Sequence, residues 1–132
     1  NPYYRLLCLY RISERLREIQ PENMEKILKL NPSFKRPSIV IPDNDLTNKF
    51  FKKYKGKSLN NFLDNHVKPV YRNNISHLGL WKGSFDANGN MKLPPADNMI
   101  NNTVSATNAV LIETINVAIK EEIKIMKKYK LA

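Results

Sequence analysis

Val104-Ser105-Ala106-Thr107-Asn108-Ala109-Val110-Leu111-Ile112-Glu113-Thr114-Ile115-Asn116-Val117-Ala118-Ile119-Lys120, continuing through Glu121-Glu122-Ile123-Lys124-Ile125-Met126, decides the fold class. Apolar residues recur there at Val104, Leu111, Ile115, Ala118, Ile119, Ile123 and Met126, the spacing of a helix that buries one stripe. Asp97 or Thr103 is placed to cap its start. Lys120, Lys124, Lys127, Lys128 and Lys130 crowd its end, where positive charge complements the helix dipole. The spacing predicts one long closing helix over about 97–128.

Working outward, residues 3–19 carry Leu6, Leu9, Ile12, Leu16 and Ile19 at helical steps, with arginines on the outer positions. Gln20-Pro21 should stop this helix, and Pro21 suits the first turn of a second one over 21–30, with Met24, Ile27, Leu28 and Leu30 inward. Pro32, Pro37 and Pro42 around Ser38-Ile39-Val40-Ile41 read as an extended crossover with one short edge strand. Leu46, Phe50, Phe51 and Tyr54 form the next helical pattern, capped by Asp45 or Thr47; Gly56 interrupts it and Ser58 restarts it with Leu59, Phe62, Leu63 and Val67. Pro69 either kinks this run or opens a new helix. After Leu80 the periodicity ends, and Asn88-Gly89 between short apolar runs signals a hairpin. The expected fold is all-α: a four- to five-helix bundle with a long C-terminal helix and a small extended or hairpin insert around 81–93, in one domain over 1–132.

A chain of 132 residues is one domain and can bury a core without staples. With 42% apolar and 26% charged residues it has a globular composition. The single cysteine excludes a disulfide scaffold and a cysteine zinc site; Cys8, between Leu7 and Leu9, reads as a small buried hydrophobe. No apolar stretch approaches the roughly 18 residues of a membrane span, and Asn1-Pro2-Tyr3-Tyr4 does not read as a signal peptide, so a cytoplasmic location is expected. Opening on Asn1-Pro2 without a Met, the chain reads as the C-terminal part of a longer protein, whose missing region would carry sensing or targeting. The net charge of +10 points to an anionic partner, although an AT-rich genome also enriches Lys.

Several chemistries lack a seat. His66 and His77 are the only histidines and have no metal-site spacing, there is no glycine-rich phosphate loop, and no carboxylate pair stands out; neither metal nor cofactor is expected. The run from Lys49 to Lys57 offers Lys49, Lys52, Lys53, Lys55 and Lys57 as RNA-phosphate contacts, while Phe50, Phe51 and Tyr54 are expected to face the core. The sharpest segment is Asn65 to Gly79. On a helix Asn73 and His77 share a face, and Arg72 reaches its rim. His66 falls on the same stripe about three turns earlier. Arg clamps phosphate and His moves protons near neutral pH, which suffices for RNA cleavage by its own 2′-hydroxyl without metal.

Arg72-Asn73-Asn74-Ile75-Ser76-His77 resembles the motif of the HEPN superfamily (higher eukaryote and prokaryote nucleotide-binding domains), in which an Arg precedes a His by four to six residues and Asn often follows the Arg. The resemblance covers about residues 46–128 and is nearest to the Apea-like or MauJ-like bacterial branches; Pro69 and the insert at 81–95 depart from a compact bundle. It implies a metal-independent endoribonuclease, an effector of a toxin or anti-phage defence system, acting on RNA such as tRNA and working as a homodimer. On that resemblance Arg72 would stabilise the scissile phosphate, His77 would move the proton and Asn73 would orient one of them. The alternatives are a non-catalytic HEPN-like dimerisation module and a basic nucleic-acid-binding domain without cleavage.

Overall fold

The computed structural model of the chain describes residues 2–70, 88 and 98–131. It is an all-α bundle dominated by two long helices, α1 (Pro2–Leu30) and a closing helix, with two short helices between them: α2 (Asp45–Phe50) and α3 (Leu59–Phe62). The closing helix, α4, spans Asn98–Lys128. Asn108 Nδ2 donates to the Pro2 carbonyl at one end of the pair, and Asn31 Nδ2 to the Tyr129 hydroxyl at the other, so α1 and α4 run in the same direction.

α1 does not stop at Gln20-Pro21; it passes through Pro21 as one helix of 29 residues. An interior proline costs about 3 kcal/mol, because it lacks the N–H and crowds the preceding turn. Packing on both sides offsets this: Leu16 before the proline and Ile27 after it are buried. Beside the proline, the Arg36 guanidinium donates to the Gln20 carbonyl at 3.1 Å. The buried face of α1 also differs from the apolar stripe. It runs through Leu6, Leu9, Ser13, Leu16, Asn23 and Ile27, while Ile12, Leu28 and Leu30 are exposed and Cys8 lies on the surface rather than in the core. In α4, likewise, Ile125 and Glu122 are buried and Ile123 is exposed.

The crossover from Asn31 is extended, as its prolines require. Its contact with the chain after α2 is an isolated bridge, Val40 to Ser58, with no strand among the described residues. The bridge is reinforced by Ile41 N–H to the Lys57 carbonyl (2.9 Å), Gly56 N–H to the Ile41 carbonyl (3.0 Å) and Leu59 N–H to the Ile39 carbonyl (2.8 Å). Arg36 anchors the crossover to the long helices. Its Nε and Nη2 donate to the two carboxylate oxygens of Glu122 at 3.0 and 2.7 Å, and Asn23 Nδ2 adds a third bond at 2.9 Å.

Asn44, ahead of both expected caps, begins α2 by accepting the Thr47 N–H at 2.8 Å. Ser58 caps α3 by accepting the Asn61 N–H. α3 then widens into a π turn over Leu63–Val67 and returns to α geometry at 68–70. The wider turn, closed by the Lys68 N–H on the Leu63 carbonyl, makes room for the Pro69 ring that a regular ladder would crowd. Outside, Arg17 of α1 grips Asp64 with two bonds of 2.7 and 2.9 Å and holds this turn against α1. The expected hairpin around 81–93 lies outside the described residues except Asn88, which stands in a turn.

Candidate nucleic-acid interface

The lysine run folds into a knuckle. α2 ends at Phe50, a 3-10 turn covers Lys52–Tyr54, and Gly56 takes a positive φ of 75° to reverse the chain. Side chains three apart point the same way on such turns, so Phe51 and Tyr54 enter the core, 3% and 6% exposed. Lys49, Lys52, Lys53, Lys55 and Lys57 are all left outside. Phe50 departs from the expected inward set: it is 39% exposed, with the Lys49 ammonium 5.2 Å from its ring centre. Among the described residues only Lys55 of these five approaches a carboxylate, Asp43 at 3.9 Å, and that exposed pair neutralises little. The knuckle therefore carries concentrated charge on a rigid, short-looped base, beside one exposed aromatic ring.

Directly beneath it sits His66, in the π turn. Its ring stacks on Phe62 at 5.1 Å and 21°, meets Phe51 edge-on at 4.8 Å, and lies 5.8 Å from Tyr54. Nε2 is 2.9 Å from the Thr107 hydroxyl. That hydroxyl donates its one proton to the Thr103 carbonyl, so His66 must be the donor and carries its proton on Nε2. Burial, and secondarily the Lys53 ammonium, push the imidazole down to about 4, so it is neutral at physiological pH. His66 is thus a half-buried, neutral residue joining the knuckle to α4.

Arg72, Asn73 and His77 lie outside the described residues. The helical turn at 68–70 leads into them from the π turn. Among the described residues no three His, Cys, Asp or Glu side chains gather as metal ligands, and no helix is long and apolar enough to cross a membrane. The main feature that sequence reasoning missed is the buried Arg36–Glu122–Asn23 cluster; its signal was the fall of Glu122 on the stripe through Leu111, Ile115, Ala118 and Ile125. No family model matches the chain, and no curated protein or solved structure shows significant similarity to it.

Proposed function

We propose that this chain is a HEPN-like RNA-processing domain that holds RNA on the Lys49–Lys57 knuckle and cleaves it, without metal, at Arg72, Asn73 and His77. The observation that carries the reading is the coupling of the knuckle to the helix leading into the motif. Phe51 and Tyr54 pack on His66, and the Lys53 ammonium is close enough to bear on its ionisation, six residues before Arg72. These lysines would draw a phosphate backbone to the part of the chain that precedes the motif in sequence.

In this mechanism His77 takes the proton of a ribose 2′-hydroxyl, the oxygen attacks the adjacent phosphorus, and the P–O5′ bond breaks as the leaving 5′-oxygen takes a proton from water; His77 then returns its own proton to solvent. The products are a 2′,3′-cyclic phosphate and a 5′-hydroxyl end. Arg72 offsets the charge that builds on the non-bridging oxygens, and Asn73 orients His77 or the phosphate. Two copies of the motif facing each other would form the composite cleft that the resemblance implies.

The test is incubation of the chain with total tRNA and with a long single-stranded RNA in EDTA. The wild type should leave cyclic-phosphate ends, His77→Ala should bind without cutting, and Lys52→Glu with Lys53→Glu should lose both. Full cleavage by His77→Ala would sink the catalytic assignment. Binding without cleavage by the wild type would support the second reading, a nucleic-acid-binding domain, for which exposed Phe50 beside Lys49 offers a stacking surface.

A further inference from the structure

We propose that the cleft enclosed by α1, the crossover and α3 is a binding site for a small organic carboxylate. The cleft has a volume of about 230 Å³. Its floor is apolar: Leu16 of α1, Ile39 of the crossover, Leu59 and Leu63 at the two ends of α3, and Ala118 of α4 meet there. Its rim is polar, with Arg17 and Gln20 on α1, Arg36 and Ser38 on the crossover and Asn60 on α3. Two ion pairs hold these walls in place, Arg17–Asp64 between α1 and the π turn and Arg36–Glu122 between the crossover and α4, so the cleft is formed before a ligand arrives.

Unused hydrogen-bonding capacity selects the ligand. Among the described residues the side chains of Gln20 and Ser38, Nδ2 of Asn60 and Nη1 of Arg36 make no hydrogen bond, whereas Oδ1 of Asn60 and Nε and Nη2 of Arg36 are engaged. The uncommitted groups are therefore mainly donors, and a carboxylate, which only accepts, is their complement. The electrostatics agree. Both guanidiniums line the cleft, but the carboxylates that pair with them, Asp64 and Glu122, do not, and neither do Glu14, Glu18 or Glu121 of the same helices. Each pair is thus a dipole with its positive end at the cleft, which favours an anion there although the pairs are neutral as a whole. Inorganic phosphate would leave the apolar floor bare; a carboxylate on a short hydrocarbon body covers it. At the ~30 Å³ that a water claims in the liquid, the cleft has room for about eight water-sized groups, the size of benzoate or hexanoate. No knuckle lysine lines the cleft, and the proposal does not depend on the RNA reading.

The probe is sodium benzoate, titrated at constant ionic strength into the nitrogen-15-labelled full chain and followed by proton–nitrogen correlation spectra. Binding should saturate with a Kd of about 1 mM or below and move the side-chain signals of Gln20, Asn60 and Arg36. Benzyl alcohol, the same ring without the charge, and acetate, the charge without the ring, should each bind at least tenfold more weakly. Arg17→Met removes one positive end, and Ser38→Trp, at an exposed position on the rim, fills the cleft. Each should weaken benzoate at least tenfold while keeping the wild-type circular dichroism. Lys52→Glu with Lys53→Glu should bind it as the wild type does. No saturable binding by the wild type, equal binding of benzyl alcohol or acetate, unchanged affinity in either cleft variant, or loss in the knuckle variant would overturn the proposal.

Discussion

Glu122→Ala tests how the crossover is fastened to the long helices. The Glu122 side chain is 5% exposed and that of Arg36 20%, so removing the carboxylate leaves a mostly buried guanidinium without its counter-charge. Three bonds go at once: those of 3.0 and 2.7 Å from Arg36, and that of 2.9 Å from Asn23, whose amide is itself buried. Breaking such a pair from one side costs about 3–5 kcal/mol. In a domain of this size that lowers Tm by roughly 10–20 °C. Replacing both partners by Met removes the uncompensated charge along with the pair, and the double variant should be more stable than either single one. The coupling in the cycle should reach at least about 2 kcal/mol. Equilibrium unfolding in urea, followed by far-UV circular dichroism, measures the wild type, Glu122→Ala and the three Met variants. A loss below about 1 kcal/mol in Glu122→Ala, or strictly additive single variants, would refute the account of this cluster as a buried fastening.

His66 should make stability fall in weak acid. Its unfolded form takes up a proton near 6.5 and its folded form near 4, so its contribution is complete above the first value and is lost as pH drops through that window. The gap corresponds to about 3 kcal/mol, which partial solvent access reduces to about 2; urea unfolding at several pH values should show that excess loss in the wild type and not in His66→Phe. Gly56→Ala should cost about 1–2 kcal/mol in the same assay: an added Cβ meets nothing within 4 Å, and the cost comes from the left-handed backbone at φ 75° alone. A loss beyond about 3 kcal/mol would mean that the knuckle is packed differently. For single-stranded RNA, Lys52→Ala with Lys53→Ala should reduce the slope of log affinity against log salt by about 1.4, at about 0.7 per phosphate contact. An unchanged slope would remove these two lysines from the interface.

The all-α architecture was legible because the long runs of apolar spacing survive any error of phase; of the knuckle, the inward Phe51 and Tyr54 and the outward lysines were legible, while the break after Phe50 and the exposure of its ring were not. The phase itself was hidden by polar residues on the buried faces. Ser13 and Asn23 interrupt the apolar reading of α1 and Glu122 that of α4, and each is satisfied in the core by a partner: Ser13 by the Tyr10 carbonyl, Asn23 and Glu122 by one another and by Arg36. Those partners are local only for Ser13; Asn23 and Glu122 are 99 residues apart, which no windowed periodicity can register. Pro21 failed as a stop signal for a related reason, since the packing that holds α1 together on either side of it belongs to α4 and the crossover. The misread phase has a physical content of its own. Ile12 and Ile123 were expected to be buried and are instead exposed, because their neighbours Ser13 and Glu122 take the buried positions.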